Sequence, residues 1–167
     1  MTAVTSPFTE PSRCKRLKAA SSRDHDSVDQ LVMAARPFEN RERYGRFLQV
    51  QHRFHGSLLA LYQDEQLNQQ LPGLAALSRF AAVEADLRDL GLSLPTSTQP
   101  VCVSSAQALG WLYCSEGSNL GAAFLYKHTQ RLGLEGDKGA RHLAPHPDGR
   151  ALHWRAFVAR LDSLVLG

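Results

Sequence analysis

The stretch Gly110–His128 constrains the fold more than any other part of the chain. It is long enough and apolar enough to form a helix. However, Gly110, Gly117 and Gly121 fall in the helix interior, where each glycine costs about 1 kcal/mol relative to alanine. At about 100° per residue, all three lie on one face. The stretch therefore predicts a helix with one face bare of side chains.

Two interpretations of this bare face are open. A flat ligand can lie against the backbone where side chains are missing. Alternatively, the glycines let another helix pack closely, as small residues do in helix pairs. The side chains that flank the stripe, and would line either contact, are Tyr113, Cys114, Phe124 and His128.

The rest of the chain also predicts helices, and the fold class is all-α, a single-domain helical bundle. A capping box at Ser104-x-x-Gln107 starts the glycine-striped helix, which we expect to run to about residue 132. A helix is predicted from Asp24 to Arg36, with His25 at its start. A second helix begins after Asn40, and its buried stripe is Phe47, Val50, Phe54, Leu58 and Leu61. Further helices are predicted at 64–71, 74–90 and 150–166, with a loop at 92–101 and a turn at 140–143. Residues 1–10 are predicted to be flexible.

Composition excludes several classes of protein. The chain has 167 residues, enough for one domain, with 43% hydrophobic and 21% charged residues. A net charge of +3 without a basic run excludes nucleic acid as a partner. No segment resembles a signal peptide or a membrane span, and three widely spaced cysteines indicate a reducing compartment. We therefore expect a cytoplasmic protein, and a monomer.

Common catalytic signatures are missing from the sequence. There is no phosphate-binding glycine loop and no nucleophile elbow, and no glutamate is followed by histidine at the spacing of a di-iron bundle. His52 and His55 have a spacing that suits a metal, but no third ligand is near. We interpret them as surface residues.

His25 is the histidine with the strongest case for a functional role. A lone histidine on an apolar helix face is usually a core side chain. However, a position at the start of a helix disfavours protonation and keeps the imidazole available to a metal. Asp29 follows one turn later, where its carboxylate fixes the tautomer of the ring.

A histidine ligand on one helix and a bare glycine face on another describe two walls of a heme pocket. The sequence resembles the heme (haem) oxygenases in their bacterial branch. The resemblance covers nearly all of the chain and is most specific in ALGWLYCSEGSNLGAAFLYK. Further similar blocks are ARPF at 35–38, LPGL at 71–74, ADLRDLG at 85–91, GARHLA at 139–144 and GRALHWRAFVARLD at 149–162.

The resemblance implies a fold and an activity. Heme b lies between a proximal helix carrying the iron ligand, here His25, and a kinked distal helix whose glycines, here Gly117 and Gly121, cover the ring. Heme is both substrate and cofactor. With O2 and electrons from an external ferredoxin- or flavoprotein-type reductase, it is cleaved to biliverdin, CO and Fe2+, which serves iron release or bilin supply.

Further roles are implied by position. Lys18 and Tyr113 match residues that contact heme propionates, and together they resemble the arrangement that gives the α isomer. Lys127 is a further cationic candidate, and Phe124 would pack on the heme, although core packing is equally compatible. Asp29 lies beside the iron ligand. Ser118 stands where the animal branch has an aspartate that orders water, and Arg79 with His142 are the candidates for the hydrogen-bond network that orders this water instead.

The sequence departs from the family pattern at its end. Members continue into one more helix, so we expect residues 11–167 to form a heme oxygenase-like domain lacking that final helix. Two alternative functions remain: a non-catalytic heme-binding or heme-sensing protein on the same scaffold, and a helical interaction domain whose glycines only pack helices.

Overall fold

The computed structural model describes residues 10–96 and 98–166, and within them the chain folds into helices joined by loops. The α-helices are α1 Arg13–Ala34, α2 Arg41–Gln63, α3 Glu65–Gln70, α4 Phe80–Asp89, α5 Ser105–Gln130 and α6 Arg150–Ser163, with 3₁₀ turns at Leu74–Leu77 and Arg141–Leu143. The predicted all-α class is confirmed. The flexible segment predicted at 1–10 lies almost wholly outside the described residues. None of the described helices is long and apolar enough to cross a membrane.

Two apolar clusters form the core. The first joins the start of α1, the end of α2, the start of α5 and α6 around the buried Leu58, Leu112 and Leu161. The second joins the start of α2, α4 and the segment after α5 around Tyr44 and Val83. Helix α5 contributes to both clusters, so its position is fixed along most of its length.

Helix α1 begins twelve residues earlier than predicted, at Arg13 instead of after Asp24. The Ser12 side chain caps it, the Cys14 N–H donates to Asp162 Oδ1 at 2.9 Å, and the Arg13 guanidinium donates to the Leu164 carbonyl at 2.7 Å. These contacts with the end of α6 extend the helix through the basic segment. The predicted position of His25 at a helix start is therefore wrong, and the helix-dipole argument does not apply to it.

Helix α2 is capped as predicted, since the Asn40 side chain accepts the Arg43 N–H at 2.8 Å. Of its predicted buried face, Phe47 and Leu58 are buried and Phe54 and Leu61 are partly buried, which agrees with the prediction. Val50 is 59% exposed, which contradicts it, and Tyr44 and Leu48 are fully buried. The face that meets α4 and α5 decides which residues are covered.

The predicted helix at 74–90 is interrupted. Leu74–Leu77 forms a 3₁₀ turn, Ser78 is extended, and α4 begins only at Phe80. Leu74 packs in the first cluster and Val83 in the second. The break lets the two halves face different clusters, and Gly91 ends α4 as predicted, with φ +69°.

Helix α5 starts with the predicted capping box. The Gln107 N–H donates to Ser104 Oγ at 3.3 Å, and the Ser104 N–H donates to the Gln107 side chain at 3.0 Å. The helix ends at Gln130, and α6 ends at Ser163, a few residues before the predicted limits. Local signals thus placed the glycine-striped helix correctly.

Two aspartates of α4 hold the segment between α5 and α6. Asp86 accepts the backbone N–H groups of Arg141 and His142 at 2.7 and 3.0 Å. Asp89 accepts the Gly139 N–H at 2.8 Å and the Arg141 guanidinium at 2.8 Å, which lowers the pKa of the Asp89 carboxyl. These bonds position the predicted turn at 140–143.

The interpretation of His52 and His55 as surface residues is wrong. They are only 2% and 5% exposed. His52 Nε2 lies 3.3 Å from Glu84 Oε2, and the His55 ring lies edge-on to Phe54. Within the described residues, no group of three or more His, Cys, Asp or Glu side chains is arranged to hold a metal ion.

We predict that His55 makes the fold acid-sensitive. Burial, with a contribution from His142 and Arg79, lowers the pKa of His55 from 6.5 to about 3. Between these values the unfolded chain binds a proton that the folded chain does not. As the pH falls from 6.5 to about 3, His55 should therefore lower the free energy of unfolding by about 1.4 kcal/mol per pH unit.

Urea unfolding measured from neutral to acidic pH checks this expectation. His55→Gln should show a shallower decline than the parent protein, whereas His25→Gln, at an exposed site, should not. An unchanged slope in His55→Gln would contradict the assignment.

We also predict that Cys14 is unreactive in the folded protein. Burial and the neighbouring Asp162 raise the pKa of the Cys14 thiol to about 12, so little thiolate forms. Iodoacetamide labelling at pH about 8, read by mass spectrometry, should modify the exposed Cys102 first and Cys14 only after unfolding. Equal labelling rates would disprove the burial of Cys14.

Candidate functional site

Helix α1 is packed at its ends and bare in its middle. Cys14 and Leu17 pack in the first cluster, and Val32 packs in the second. Every residue from 18 to 31 is exposed, including Val28 at 57% and Leu31 at 69%. Apolar side chains exposed along a helix mark a surface that is available to a ligand or a partner.

The two ends of α1 meet the two ends of the glycine stripe of α5. Cys14, near the start of α1, shares the first cluster with Tyr113. Phe38, just beyond the end of α1, stacks on His128 with ring centroids 5.4 Å apart. The exposed middle of α1 and the glycine face of α5 therefore lie between the same two contacts.

The glycine face itself is largely uncovered. Among the described residues, nothing lies within 4 Å of where a Cβ would stand on Gly110 or Gly121. At Gly117 a Cβ would lie 3.3 Å from the Trp154 indole. Close packing of the whole stripe against another helix, the alternative left open by the sequence, is therefore wrong. The buried side chains of α5 lie on other faces and include Leu112, Ser115, Glu116, Asn119 and Ala122.

His25 lies on the bare middle of α1, with its side chain 71% exposed. Its Nδ1 is 3.3 Å from Asp29 Oδ2, one helical turn away, as the spacing predicted. When Nδ1–H faces the carboxylate, the lone pair of Nε2 is available to a metal. The pair can thus present a neutral imidazole to a ligand.

The predicted propionate and edge contacts are on the same two helices, and their exposure differs. Lys18 on α1 and Lys127 on α5 are exposed, and Tyr113 is half-buried, which raises the pKa of its hydroxyl. Phe124 is 57% exposed and lies edge-on to His128, with centroids 4.6 Å apart. The core-packing interpretation of Phe124 is therefore wrong.

Ser118 is exposed at the border of the glycine stripe. Its hydroxyl donates to the carbonyl of Ser115 on the preceding turn at 2.6 Å. The Oγ lone pairs remain able to accept a hydrogen bond from a ligand or water.

Arg79 and His142, predicted to act together, are brought into contact on another side of α5. The Arg79 guanidinium donates to the carbonyls of His142 and Ala144, and burial lowers the Arg79 pKa although the nearby Glu116 raises it. The hydrogen bonds of Arg79 thus go to backbone carbonyls, and Glu116 acts on its charge without a direct hydrogen bond.

The ring of His142 is buried and held by Asp86. His142 Nδ1 lies 2.6 Å from Asp86 Oδ2, and the residue is 2% exposed. His142 Nε2 is buried without a hydrogen-bond partner among the described residues. A buried nitrogen of this kind is suited to an ordered water.

Sequence reasoning missed Glu116, which lies at the centre of a buried polar network. Its carboxylate accepts the Tyr62 hydroxyl at 2.7 Å and the Asn119 amide at 3.3 Å, and it lies 3.1 Å from His153 Nε2. The network borders a cavity of about 180 Å³ that Arg79 also lines. Helical periodicity alone places Glu116 away from the glycine stripe, but its partners come from distant helices.

Comparison with known proteins agrees with this geometry. A family model described as "Heme oxygenase" matches residues 12–167. The protein named "Heme oxygenase PigA" from Pseudomonas aeruginosa is 44% identical over 157 residues, which cover 92% of this chain and 79% of that protein. The structure of the NO- and CO-bound heme oxygenase from Neisseria meningitidis matches with a TM-score of 0.90 and 49% identity, over 94% of this chain and 79% of that chain. The chain therefore belongs to the heme oxygenase family of enzymes.

Proposed function

We propose that this chain binds heme b between α1 and α5 and cleaves it to α-biliverdin, CO and Fe2+, using O2 and electrons from an external donor. The observation that carries the proposal is that the exposed middle of α1 and the uncovered glycines of α5 lie between the same two end contacts, from which we infer an opening for the ring. Heme supplies the iron that binds O2 and the ring carbon that is oxidised; the protein orients both.

His25 is the proposed iron ligand. It stands on the exposed middle of α1, where it can reach a ligand in the opening, and Asp29 is placed to hold its Nδ1. A neutral imidazole leaves the opposite side of the iron open to O2. Protonation of the ring would compete with this role, and the Asp29 contact favours binding through Nε2.

Gly117 and Gly121 form the proposed opposite wall. At Gly121 no side chain prevents a flat ring from approaching the main chain of α5, whereas at Gly117 the Trp154 indole lies beside the wall. With heme bound, the wall would limit the space over one face of the ring. Ser118, at the border of the wall, is placed to accept a hydrogen bond from water in this space.

Arg79 and His142 are the proposed anchors of the water that delivers protons. The partnerless, buried Nε2 of His142 supports this role, because it requires a partner such as water. Asp86 keeps the ring in one orientation, and Arg79 holds the backbone of the same segment through two carbonyls.

Lys18, Tyr113 and Lys127 are the proposed propionate contacts, and Phe124 is the proposed edge contact. Lys18 and Tyr113 lie in the first halves of α1 and α5, which supports a propionate edge at that end, whereas Lys127 and Phe124 lie toward the other end of α5. Lys18 with Tyr113, together with Met33 where relatives with rotated heme carry lysine, favours the α isomer. Fixing the propionates fixes which ring carbon meets the oxygen.

The proposed electron donor is an acidic ferredoxin- or flavoprotein-type reductase. Lys15, Arg16 and Lys18 are exposed on α1, beside the opening, and would attract a negatively charged partner. Cys14, Cys102 and Cys114 are free thiols, which supports a cytoplasmic, reducing location. We propose that the enzyme acts as a monomer.

Addition of heme b followed by reductant in air tests the function. We expect a Soret band, then a biliverdin spectrum with iron release. A stable ferrous or oxy complex would instead identify a heme carrier.

His25→Ala should weaken heme binding at least about tenfold, with partial recovery on added imidazole, whereas the matched His146→Ala should bind normally. Normal heme binding by His25→Ala would exclude His25 as the ligand.

We predict opposite effects of Gly121→Ala on stability and on binding. In the heme-free protein the new methyl group meets nothing, so the free energy of unfolding should rise by about 1 kcal/mol. Heme affinity should fall, because the methyl group occupies the wall. Urea unfolding and heme titration measure the two effects. Gly110→Ala should give only the gain in stability, and unchanged affinity in Gly121→Ala would contradict the wall.

A further inference from the structure

Trp154 of α6 lies against Gly117, the middle glycine of the stripe. Its indole edge is 3.3 Å from where a Cβ of Gly117 would stand, and its ring centroid is 5.4 Å from that of Tyr113. The indole also packs against Phe157, with centroids 6.0 Å apart. A large, flat side chain from a different helix thus closes the stripe on this side.

Aromatic rings also lie beyond Gly121, the last glycine of the stripe. His128 contacts Phe124 edge-on and stacks on Phe38. From Gly117 to His128 the helix rises about 16 Å, at about 1.5 Å per residue. The part of α5 that includes Gly121 therefore lies between Trp154 on one side and Phe38 with His128 on the other.

His153, which precedes Trp154 in the sequence, contacts α5 on a different side. His153 Nε2 lies 3.1 Å from Glu116 Oε2, whose side chain is fully buried. Tyr62 of α2 and Asn119 also bind this carboxylate. Consecutive residues of α6 thus contact consecutive residues of α5, with His153 on Glu116 and Trp154 on Gly117.

We propose that Trp154 is an orientation-determining residue, the end wall against which one edge of the heme rests, and that the His153–Glu116 contact positions it. This rests on the proposed function. A ring held by one axial ligand can rotate in its own plane unless its edge meets a wall. Trp154, acting with Tyr113, restricts that rotation and so selects the ring carbon that is cleaved.

A purely structural role for Trp154 would have different consequences. Loss of packing against Phe157 would lower stability and the amount of folded protein. It would not change the ratio of biliverdin isomers formed by the molecules that remain folded. The isomer ratio, and the orientation of bound heme, therefore separate the two roles.

The experiment uses the full chain loaded with heme b. Proton NMR of the cyanide complex reports heme orientation through the shifted heme methyl signals, without turnover. Chromatography of the products after addition of reductant in air reports the isomer ratio. Trp154→Leu and Trp154→Phe are compared with the parent, the phenylalanine variant keeping an aromatic ring in case the leucine variant folds poorly.

We expect Trp154→Leu to give a several-fold rise in the share of minor isomers and additional sets of heme methyl signals, with a smaller change in Trp154→Phe. His153→Gln should act in the same direction. His146→Gln is the matched control, since His146 stacks on His153 at 4.2 Å but does not contact Glu116. It should retain the parent ratio.

The possible failures are distinct. If the parent protein neither binds nor cleaves heme, the proposed function fails and this inference fails with it. If the parent cleaves heme and the Trp154 variants keep its isomer ratio and methyl signals, only the end-wall role is overturned. If only the His153 variant keeps the parent ratio, Trp154 is the wall but His153 does not position it.

Discussion

Helix α5 must bury part of its surface in the bundle while a stripe on it carries no side chains, and the rest of the structure depends on this asymmetry. Its three interior glycines lower helix stability by about 3 kcal/mol in total. Contacts on its buried faces offset this cost. Leu112 packs in the core, and Glu116 binds side chains from α2 and α6. The bare stripe can exist because the other faces are strongly held.

The fold was predictable where local chemistry decides it. The capping box of α5, the Asn40 cap of α2 and the end of α4 at Gly91 were all visible in the sequence, because each involves residues within one turn of each other. The start of α1 was not visible. Ser12 and Asp24 are both acceptable caps, and the choice is made by contacts of Arg13 and Cys14 with α6. The break at Ser78 likewise serves two separate clusters.

The candidate site was predictable where the family resemblance supplied residues, but its surroundings were not. The resemblance paired Arg79 with His142, and the fold brings them together. The burial of His55, and the contacts of Glu116 and Trp154, depend on which helices become neighbours. Helical periodicity places Glu116 away from the glycine stripe, but it cannot show that Glu116 is buried or that Tyr62 is its partner.

The way α1 is attached has a consequence for the life cycle of a bound ligand. Among the described residues, α1 packs against the rest of the bundle only near its two ends. Its central turns can bow outward by breaking few side-chain contacts, so local opening costs much less than unfolding the bundle. A planar substrate that becomes a puckered, open-chain product can then leave beneath the central turns of α1. The contacts of Arg13 at the start of α1 and of Phe38 just beyond its end stay in place.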